Sequence, residues 1–370
     1  MKFTINAQTL QTELAFLSGV AEQKNTIPVL QNLSIVSDGN STLIISATDL
    51  DVTLSCKAEA IVSKPGSILV PMGKLLAITK SIPKTADITF QALENERVKL
   101  TCERANFTLI APAFDSFPEI KNSPEAAIEI PANIFSSMIN STLYGITQEE
   151  SRYTLSGAKV EIDDQSMKMI TTDGHRLAKS ENTTVTSKDK IDVLIPRKAL
   201  AQLAKISAVH DGSVSFASDT NHIYFQVGTR SLSSRLLTGQ FPNYEMVIPK
   251  NNPNSFAMNI SQFRETLKRV ALMADERSHS IRMDIKSNQL TLSASTPDDG
   301  EAIEHIPIEY DGEETAIGFN SEYLLDSYGS LNGSQQATMS FKDGNSQVLI
   351  EPTTPTTNSV IAIVMPLRLG

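Results

Sequence analysis

The side chains most able to do chemistry are concentrated in residues 171–177, which read Thr-Thr-Asp-Gly-His-Arg-Leu. Asp173 and His175 are a carboxylate and an imidazole close enough in sequence to form an acid–base pair, as a hydrolase would need. The Asp173-Gly174 dipeptide is also typical of a tight turn that ends a strand. A third interpretation places His175 and Arg176 on the rim of a binding pocket. Because no nucleophile or metal site accompanies the cluster, we expect that the protein is not an enzyme.

Other candidates for catalysis or metal binding are weak. The sequence contains no G-x-x-x-x-G-K-[ST] phosphate loop, no G-x-G-x-x-G, no G-x-S-x-G and no H-x-x-x-H pair among its five histidines. Cys56 and Cys102 lie on alternating apolar segments, so we expect buried structural thiols. Turn chemistry explains Asp49, Asp51 and the acidic residues at 298–301 better than a metal site does. We therefore expect no metal and no cofactor.

The composition is that of a globular protein without a membrane anchor. The 370 residues are 40% apolar and 20% charged, and no window approaches 18 consecutive apolar residues. The first residues alternate between polar and apolar, which is unlike a secretory signal. Two cysteines are too few for a disulfide framework, so a reduced cytoplasmic location is expected.

The net charge of −10 lies almost entirely in the last third of the chain. Basic and acidic residues number 11 and 12 in residues 1–124, 13 and 14 in residues 125–250, and 8 and 16 in residues 251–370. Most of the excess is one stretch without Lys or Arg, formed by Asp298, Asp299, Glu301, Glu304, Glu309, Asp311, Glu313 and Glu314. This stretch is either a solvated acidic surface or the electrostatic partner of a basic edge such as Arg97, Lys99 and Arg104.

Three similar segments follow one another along the chain. A strand-then-helix pattern opens each segment and returns in its middle, with starts at Phe3, Leu69, Ile128, Leu194, Phe256 and Ile317. Equivalent residues recur every 124 positions, as in the series Thr48, Thr172 and Thr296. A period of this length indicates whole domains, because solenoid repeats are far shorter. We expect three domains, at 1–124, 125–250 and 251–370, separated by linkers rich in Pro and Asn.

Each domain is predicted to be α+β, with two strand–helix units and with its helices on one face of antiparallel sheets. Short amphipathic helices are predicted at 73–82, 197–206 and 262–273. Each carries Lys or Arg, for example Lys198 and Lys205. These charges are either ordinary solvated helix faces or, if the pseudo-symmetry gathers them, a wall that faces phosphates without reading bases.

The end of the chain is unusually apolar. Residues 360–365 read as a strand with two apolar faces, and Pro-Leu-Arg-Leu-Gly follows them. Chain ends are normally polar and frayed. The tail therefore either packs as core or forms the wall of an apolar cleft for a partner.

Taken in order, these segments resemble the bacterial DNA polymerase III beta subunit family, the replicative sliding clamps. The residues that carry the resemblance are Met-Lys-Phe-Thr at 1–4, Ile-Pro-Val-Leu-Gln-Asn-Leu at 27–33, Ala-Thr-Asp-Leu at 47–50, Thr-Asp-Gly-His-Arg-Leu at 172–177, Ile-Pro-Arg-Lys at 195–198, Phe-Pro-Asn-Tyr at 241–244, Gly-Phe-Asn at 318–320 and Val-Met-Pro-Leu-Arg-Leu at 364–369. The resemblance implies a head-to-tail homodimeric ring of six domains, with helices lining the hole and antiparallel sheets outside.

The resemblance also implies the partners. Duplex DNA would pass through the ring and be held topologically, without sequence-specific contacts. The catalytic subunit of DNA polymerase III, a clamp loader, other polymerases and repair proteins would bind through short linear motifs. The location would be cytoplasmic and associated with the nucleoid. Because the sequence has no ATPase motif, loading onto DNA would depend on another protein.

Site residues follow from the resemblance by position. The DNA-facing residues would be Lys24, Lys74, Arg152, Tyr153, Arg197 and Lys198. The pocket for partner peptides would be formed by Leu155, Thr172, Gly174, His175, Arg176, Leu177, Pro242, Val247, Asn320, Tyr323, Ile363, Met365, Pro366, Leu367 and Arg368. At the subunit interface, Phe107 and Leu109 would lie on one edge, and Leu272 and Met273 on the other.

The sequence departs from the family pattern at four positions. Glu149 and Gly73 stand where relatives have a polar amide and a basic residue, and Met246 stands where the best-known relative has Arg. Gly370 follows the usual terminal Leu.

Two other functions are compatible with the residues alone. A hydrolase using Asp173 and His175 would show turnover, and a structural scaffold would not be loaded onto circular DNA.

Overall fold

A computed structural model describes residues 1–21, 27–121, 123–125, 128–149, 151–297, 300–331 and 333–369. These residues form six α-helices and 25 β-strands. The helices are α1 (Ala7–Leu17), α2 (Met72–Ser81), α3 (Ala132–Thr142), α4 (Arg197–Ser207), α5 (Ile260–Val270) and α6 (Ser321–Gly329).

The strands fall into three sets that follow the sequence repeats. The first set is β1 (Lys2–Asn6), β2 (Asn32–Asp38), β3 (Thr42–Thr48), β4 (Val52–Glu59), β5 (Ile61–Lys64), β6 (Ser67–Pro71), β7 (Asp87–Leu93), β8 (Arg97–Cys102) and β9 (Ala105–Ile110). The second is β10 (Ile128–Pro131), β11 (Gly157–Ile162), β12 (Met167–Thr172), β13 (Arg176–Asn182), β14 (Ile191–Pro196), β15 (Ser213–Ser218), β16 (His222–Val227) and β17 (Arg230–Arg235). The third is β18 (Asn254–Asn259), β19 (Ser280–Lys286), β20 (Gln289–Thr296), β21 (Gly300–Pro307), β22 (Thr315–Asn320), β23 (Gln336–Phe341), β24 (Val348–Pro352) and β25 (Ser359–Val364).

Each of these helices begins directly after a strand, which confirms the predicted strand–helix units. Asparagine side chains start three of them. Asn6 accepts hydrogen bonds from the backbone of Gln8 and Thr9, and Asn259 and Asn320 cap α5 and α6 in the same way. Such caps satisfy backbone N–H groups that have no partner within the helix. The chain can therefore change from strand to helix without a connecting loop.

The chain divides into two compact units. The N-terminal unit contains Met1–Asn133 and Ala201–Leu236, and the C-terminal unit contains Ile134–Leu200 and Leu237–Gly370. Each unit holds an eight-stranded antiparallel sheet that takes four strands from the central repeat. The boundary between the units falls within α3 and α4. This is because strands of the central repeat pair with the first repeat in one sheet and with the last repeat in the other.

The N-terminal unit contains two antiparallel sheets. Their strand orders are β5-β1-β7-β8-β9 and β10-β15-β16-β17-β4-β3-β2-β6. The repeats join where β17 pairs with β4, with Leu232 opposite Leu54. Beside this junction, Arg230 forms a bidentate ion pair with Glu13 of α1, with both nitrogen–oxygen distances at 3.0 Å. The pair anchors α1 to a strand of the next repeat.

The C-terminal unit is built on the same plan. Its strand orders are β14-β11-β12-β13-β25-β24-β23-β18 and β21-β20-β19-β22. Here the repeats join where β13 pairs with β25, with Leu177 opposite Ile363. A large core from the last repeat includes the ring of Phe263, which packs on Tyr328 at a centroid distance of 4.4 Å. Burial of this apolar surface is the main source of stability.

Several predictions from the sequence can be compared with these elements. Cys56 and Cys102 are buried free thiols, as predicted. Burial, followed by the nearby charge of Glu13, raises the pKa of Cys56, so the thiol stays protonated. Asp49 accepts backbone hydrogen bonds from Asp51 and Val52, which confirms the predicted turn. The predicted helix 262–273 was wrong at its end, because α5 stops at Val270 and a 3₁₀ turn continues to Met273.

Candidate functional site

The Asp-Gly segment forms a tight turn between β12 and β13. The Asp173 carboxylate accepts hydrogen bonds from the backbone of His175 and Arg176, at 2.9 and 3.0 Å. Gly174 has a φ of +88°, a conformation that glycine adopts without strain. Asp173 binds the backbone of His175 and the guanidinium of Arg176, so its oxygens stabilise the turn. This geometry matches the turn interpretation of the sequence.

Arg176 connects this turn to helix α6. Its Nε donates to Asp173 at 3.0 Å and its Nη1 to Asp326 at 2.6 Å. The guanidinium also lies 4.5 Å from the ring centroid of Tyr323 and 5.2 Å from that of Tyr144, distances at which a cation is attracted to the ring face. Burial disfavours the charged form, but the hydrogen bonds and charges of Asp326 and Asp173 outweigh it and raise the pKa of Arg176.

An apolar cluster lies beside the turn and contains residues of the central and the last repeat. Its buried members are Ile170, Leu177, Leu194, Phe241, Tyr244 and Ile363, and Leu155, Leu237, Ile248 and Leu349 pack against them half-buried. The Tyr244 hydroxyl donates to Glu161 at 2.8 Å, and burial together with this carboxylate raises the pKa of Tyr244. Satisfying the buried hydroxyl in this way lets the ring serve as apolar surface.

The C-terminal tail forms one border of the cluster. The backbone N–H of Met365 donates to the carbonyl of His175 at 2.9 Å, and that of Leu367 donates to Gly318 of β22 at 2.8 Å. Strand β25 is core, whereas Met365 and Leu369 beyond it keep 37% and 38% of their surface exposed. The structure therefore agrees with the core interpretation for the strand, and shows that the tail beyond it lies at the surface and is fixed at two points.

The predicted pocket residues all lie in the C-terminal unit, and many of them are brought together. Hydrogen bonds or ring contacts join Thr172, Gly174, His175, Arg176, Tyr323 and Met365. Leu155, Leu177 and Ile363 belong to the apolar cluster. Asn320 caps α6, Leu367 pairs with β22, and Pro366 is half-buried. Pro242, Val247 and Arg368 are exposed on the segments that border the cluster. We call this surface the groove.

The predicted DNA-facing residues are divided between the two units. Lys74 is exposed on α2 of the N-terminal unit. In the C-terminal unit Tyr153 is exposed and Lys198 is half-buried. Arg197 donates to the carbonyl of Ile146 at 3.0 Å, so its guanidinium binds a loop of its own chain. Lys24 lies outside the described residues.

Arg152 contacts the groove. Its Nη1 donates to the carbonyl of Asp173 at 2.6 Å, and its Nε lies 3.1 Å from a carboxylate oxygen of Glu149. These two bonds hold the guanidinium against the Asp-Gly turn.

The predicted interface residues lie near sheet edges. Phe107 and Leu109 are half-buried on β9, one of the two edge strands of the five-stranded sheet. In the C-terminal unit Leu272 is 78% exposed, while Met273 packs against the core. Strand β21 is an edge of the four-stranded sheet, and its Ile303 is 53% exposed. Asp298 and Asp299 of the acidic stretch lie outside the described residues, and Glu304 is bound by Arg269 at 3.0 Å.

Two residues of the groove were not predicted from the sequence. Asp326 and Tyr144 complete the surroundings of Arg176, but 150 residues separate Arg176 from Asp326. The local signal for Asp326 was that Tyr323 and Asp326 stand three residues apart, on one face of a helix.

In the described part of the chain, no three His, Cys, Asp or Glu side chains are grouped as a metal ion would require. Within the same ranges, none of the helices is long and apolar enough to cross a membrane.

Comparison with known proteins adds family evidence to this geometry. Three family profiles match in succession: the DNA polymerase III beta subunit N-terminal domain at residues 1–121, its central domain at 129–243 and its C-terminal domain at 245–368. The beta sliding clamps of Pseudomonas aeruginosa and Escherichia coli are 32% and 30% identical to this chain, over 100% of both sequences in each case.

Solved structures agree with the sequence matches. A crystal structure of the Pseudomonas aeruginosa sliding clamp has a TM-score of 0.93 at 32% identity, and covers 100% of both chains. A Bartonella birtlesii sliding clamp bound to griselimycin has a TM-score of 0.94 at 28% identity, again over 100% of both chains.

Proposed function

The chain belongs to the bacterial DNA polymerase III beta subunit family, and we propose from this membership how it acts on DNA. It is a DNA sliding clamp of the polymerase III holoenzyme. Two copies close a ring around duplex DNA, with helices towards the hole, and the ring follows the polymerase without reading sequence. Loose phosphate contacts suit this task, because tight ones would oppose sliding. The clamp is a processivity factor and catalyses no reaction itself.

We propose that the ring closes between the edge strands β9 and β21 of different protomers. Among the residues that the structure describes, both strands have one side without a neighbour in their own sheet, and such an edge is a ready template for pairing with another chain. Phe107 and Leu109 on one protomer would cover Leu272 and Met273 of the other. Arg97 and Arg104, both exposed, would face the acidic side of β21. The three clamp domains of each copy are assigned to residues 1–124, 125–250 and 251–370.

The groove is the site where partner proteins attach. A short linear peptide with apolar side chains would lie on the cluster that contains Leu177 and Ile363. The replicative polymerase, the clamp loader and other polymerases and repair proteins would compete for it, at the nucleoid. The observation that supports this proposal most strongly is the C-terminal tail, which is fixed beside the cluster at His175 and Gly318.

Removal of residues 366–370 tests the groove assignment. The truncation deletes the part of the tail that pairs with Gly318 but leaves strand β25 and its pairing to β13. We expect loss of binding to a fluorescent peptide of the Gln-Leu-x-Leu-Phe type, measured by fluorescence anisotropy, with an unchanged circular dichroism spectrum. Undiminished affinity of the truncated protein would refute the assignment.

A further inference from the structure

The surroundings of Tyr323 in the groove contain more carboxylates than cations. The charged groups there are Glu149, Arg152, Asp173, Arg176, Glu322 and Asp326, which we call the Tyr323 end. Four carboxylates face two guanidinium groups, so two negative charges are in excess. The pKa of Tyr323 is raised accordingly, first by partial burial and then by Asp173, with Glu322 and Glu149 also contributing.

Both guanidinium groups at this end are already bound within the chain. Arg152 contacts Glu149 and the carbonyl of Asp173, and its side chain is 40% exposed. Arg176 is held by Asp173 and Asp326, with its side chain only 13% exposed. An incoming carboxylate would have to compete with these internal pairs. Desolvating it there would cost free energy without a new partner.

Three of the carboxylates remain accessible from solvent. The side chains of Glu149, Glu322 and Asp326 are 63%, 61% and 47% exposed. The cation nearest to Glu322 in the described structure is His279, 3.8 Å away, which is charged only when protonated. An incoming ammonium or guanidinium group could therefore approach Glu322 without competing with an internal arginine, and could reach the exposed parts of Glu149 and Asp326 beside their bonds to Arg152 and Arg176.

Beyond the Tyr323 end, the groove carries the exposed cation Arg368 on the tail, and its other exposed border is largely apolar. Met246 is 81% exposed, and Val247 and Met365 are each 37% exposed. These side chains supply apolar contact, and Met in particular adapts to different ligand shapes. The groove thus combines apolar anchoring surface with one acidic end.

We propose that this groove prefers partner segments that carry a Lys or Arg beside their apolar anchors. The basic side chain would be placed to meet Glu149, Glu322 and Asp326. Charge complementarity selects such a partner over an acidic one, and the selection is a difference in affinity between two otherwise equal peptides. The inference rests on the groove being the peptide site, because it describes which peptides that site accepts.

Matched peptides test this preference. Seven fluorescent peptides are compared: neutral Gln-Leu-Ser-Leu-Phe, and versions with a Lys or a Glu before the Gln, in place of the Ser, or after the Phe. At one or more of these positions we expect the Lys peptide to bind about two- to fivefold more tightly than its Glu counterpart. A difference of this size is what an exposed ion pair contributes to binding. The difference should shrink in 0.5 M salt, because exposed charges are screened.

Variants of the chain locate the source of the preference. The double substitution Glu149→Gln with Glu322→Gln should bring the Lys-to-Glu affinity ratio close to one. Asp164→Asn with Asp189→Asn makes the same change in net charge at exposed positions of the same unit, and should leave the ratio as in the wild type.

The possible outcomes separate this inference from the proposed function. Equal affinities, tighter binding of the Glu peptides, or a ratio that both variants change alike would overturn the charge preference while the neutral peptide still binds. Failure of the neutral peptide to bind would refute the groove itself, and the preference with it.

Discussion

At the scale of single residues, Gly318 shows how closely the tail is fitted to the fold. A Cβ atom at this position would lie 2.8 Å from the carbonyl oxygen of Leu367 and 3.0 Å from a methyl carbon of Leu369. The close approach to backbone leaves no room for a side chain, because a carbonyl cannot turn away as a flexible side chain can. The tail therefore depends on a glycine in the strand beneath it.

We expect Gly318→Ala to displace the tail and weaken peptide binding by roughly three- to tenfold, about 1 kcal/mol in binding free energy. Fluorescence anisotropy measures the affinity, and thermal melting reports the accompanying loss of stability. Gly333→Ala is the control, because its φ of +88° makes the change unfavourable while the described residues, its chain neighbours aside, place no atom within 4 Å of the new Cβ. It should lower the melting temperature without changing peptide affinity. Equal affinities for both variants and the wild type would contradict the role of Gly318.

At the scale of elements, strand pairing between repeats joins parts of the chain that are far apart in sequence. Strand β4 pairs with β17, and helix α1 is fixed to the same strand by Glu13 and Arg230. The two side chains are only 12% and 21% exposed, so water screens the pair weakly. Phe16 adds its ring 5.0 Å from the guanidinium carbon. We infer that this pair contributes to the docking of α1.

Arg230→Met should destabilise the protein by about 2–4 kcal/mol, because it leaves the Glu13 carboxylate poorly hydrated without its partner. Adding Glu13→Gln should recover part of the loss. Chemical denaturation of the two single variants and the double variant measures the coupling between the residues. Lys57→Met breaks an exposed ion pair with Asp38 in the same unit and should cost less than about 1 kcal/mol. Losses of equal size for Arg230 and Lys57 would show that burial of the pair is unimportant.

The sequence predicted the local elements better than their long-range arrangement. Apolar alternation and the repeats placed α2 and α4 within a residue of their observed ends, since these signals are local. The pairing of β13 with β25 could not be read from the pattern, because it joins residues about 185 positions apart. For the same reason the turn at Asp173 was anticipated, whereas its link through Arg176 to Asp326 was not.

At the scale of the whole molecule, we propose that function depends on two copies closing a ring. Leu272 is largely exposed, an unusual position for a large apolar side chain unless a partner covers it. We expect Leu272→Ala with Met273→Ala to yield monomers, because burying two such side chains is worth roughly 3–6 kcal/mol. Multi-angle light scattering would detect the change in mass. A variant that stays dimeric at micromolar concentration would exclude these residues from the interface.

We propose that a closed ring holds DNA topologically. The most direct test loads the labelled protein onto nicked circular DNA with a clamp loader, and then cuts the circle once with a restriction enzyme. Gel filtration measures how much protein stays with the DNA before and after the cut, and linear DNA of the same length serves as the control. We predict retention on the circle and release after the cut. Protein that remains on the cut DNA, or never stays on the intact circle, would contradict topological binding.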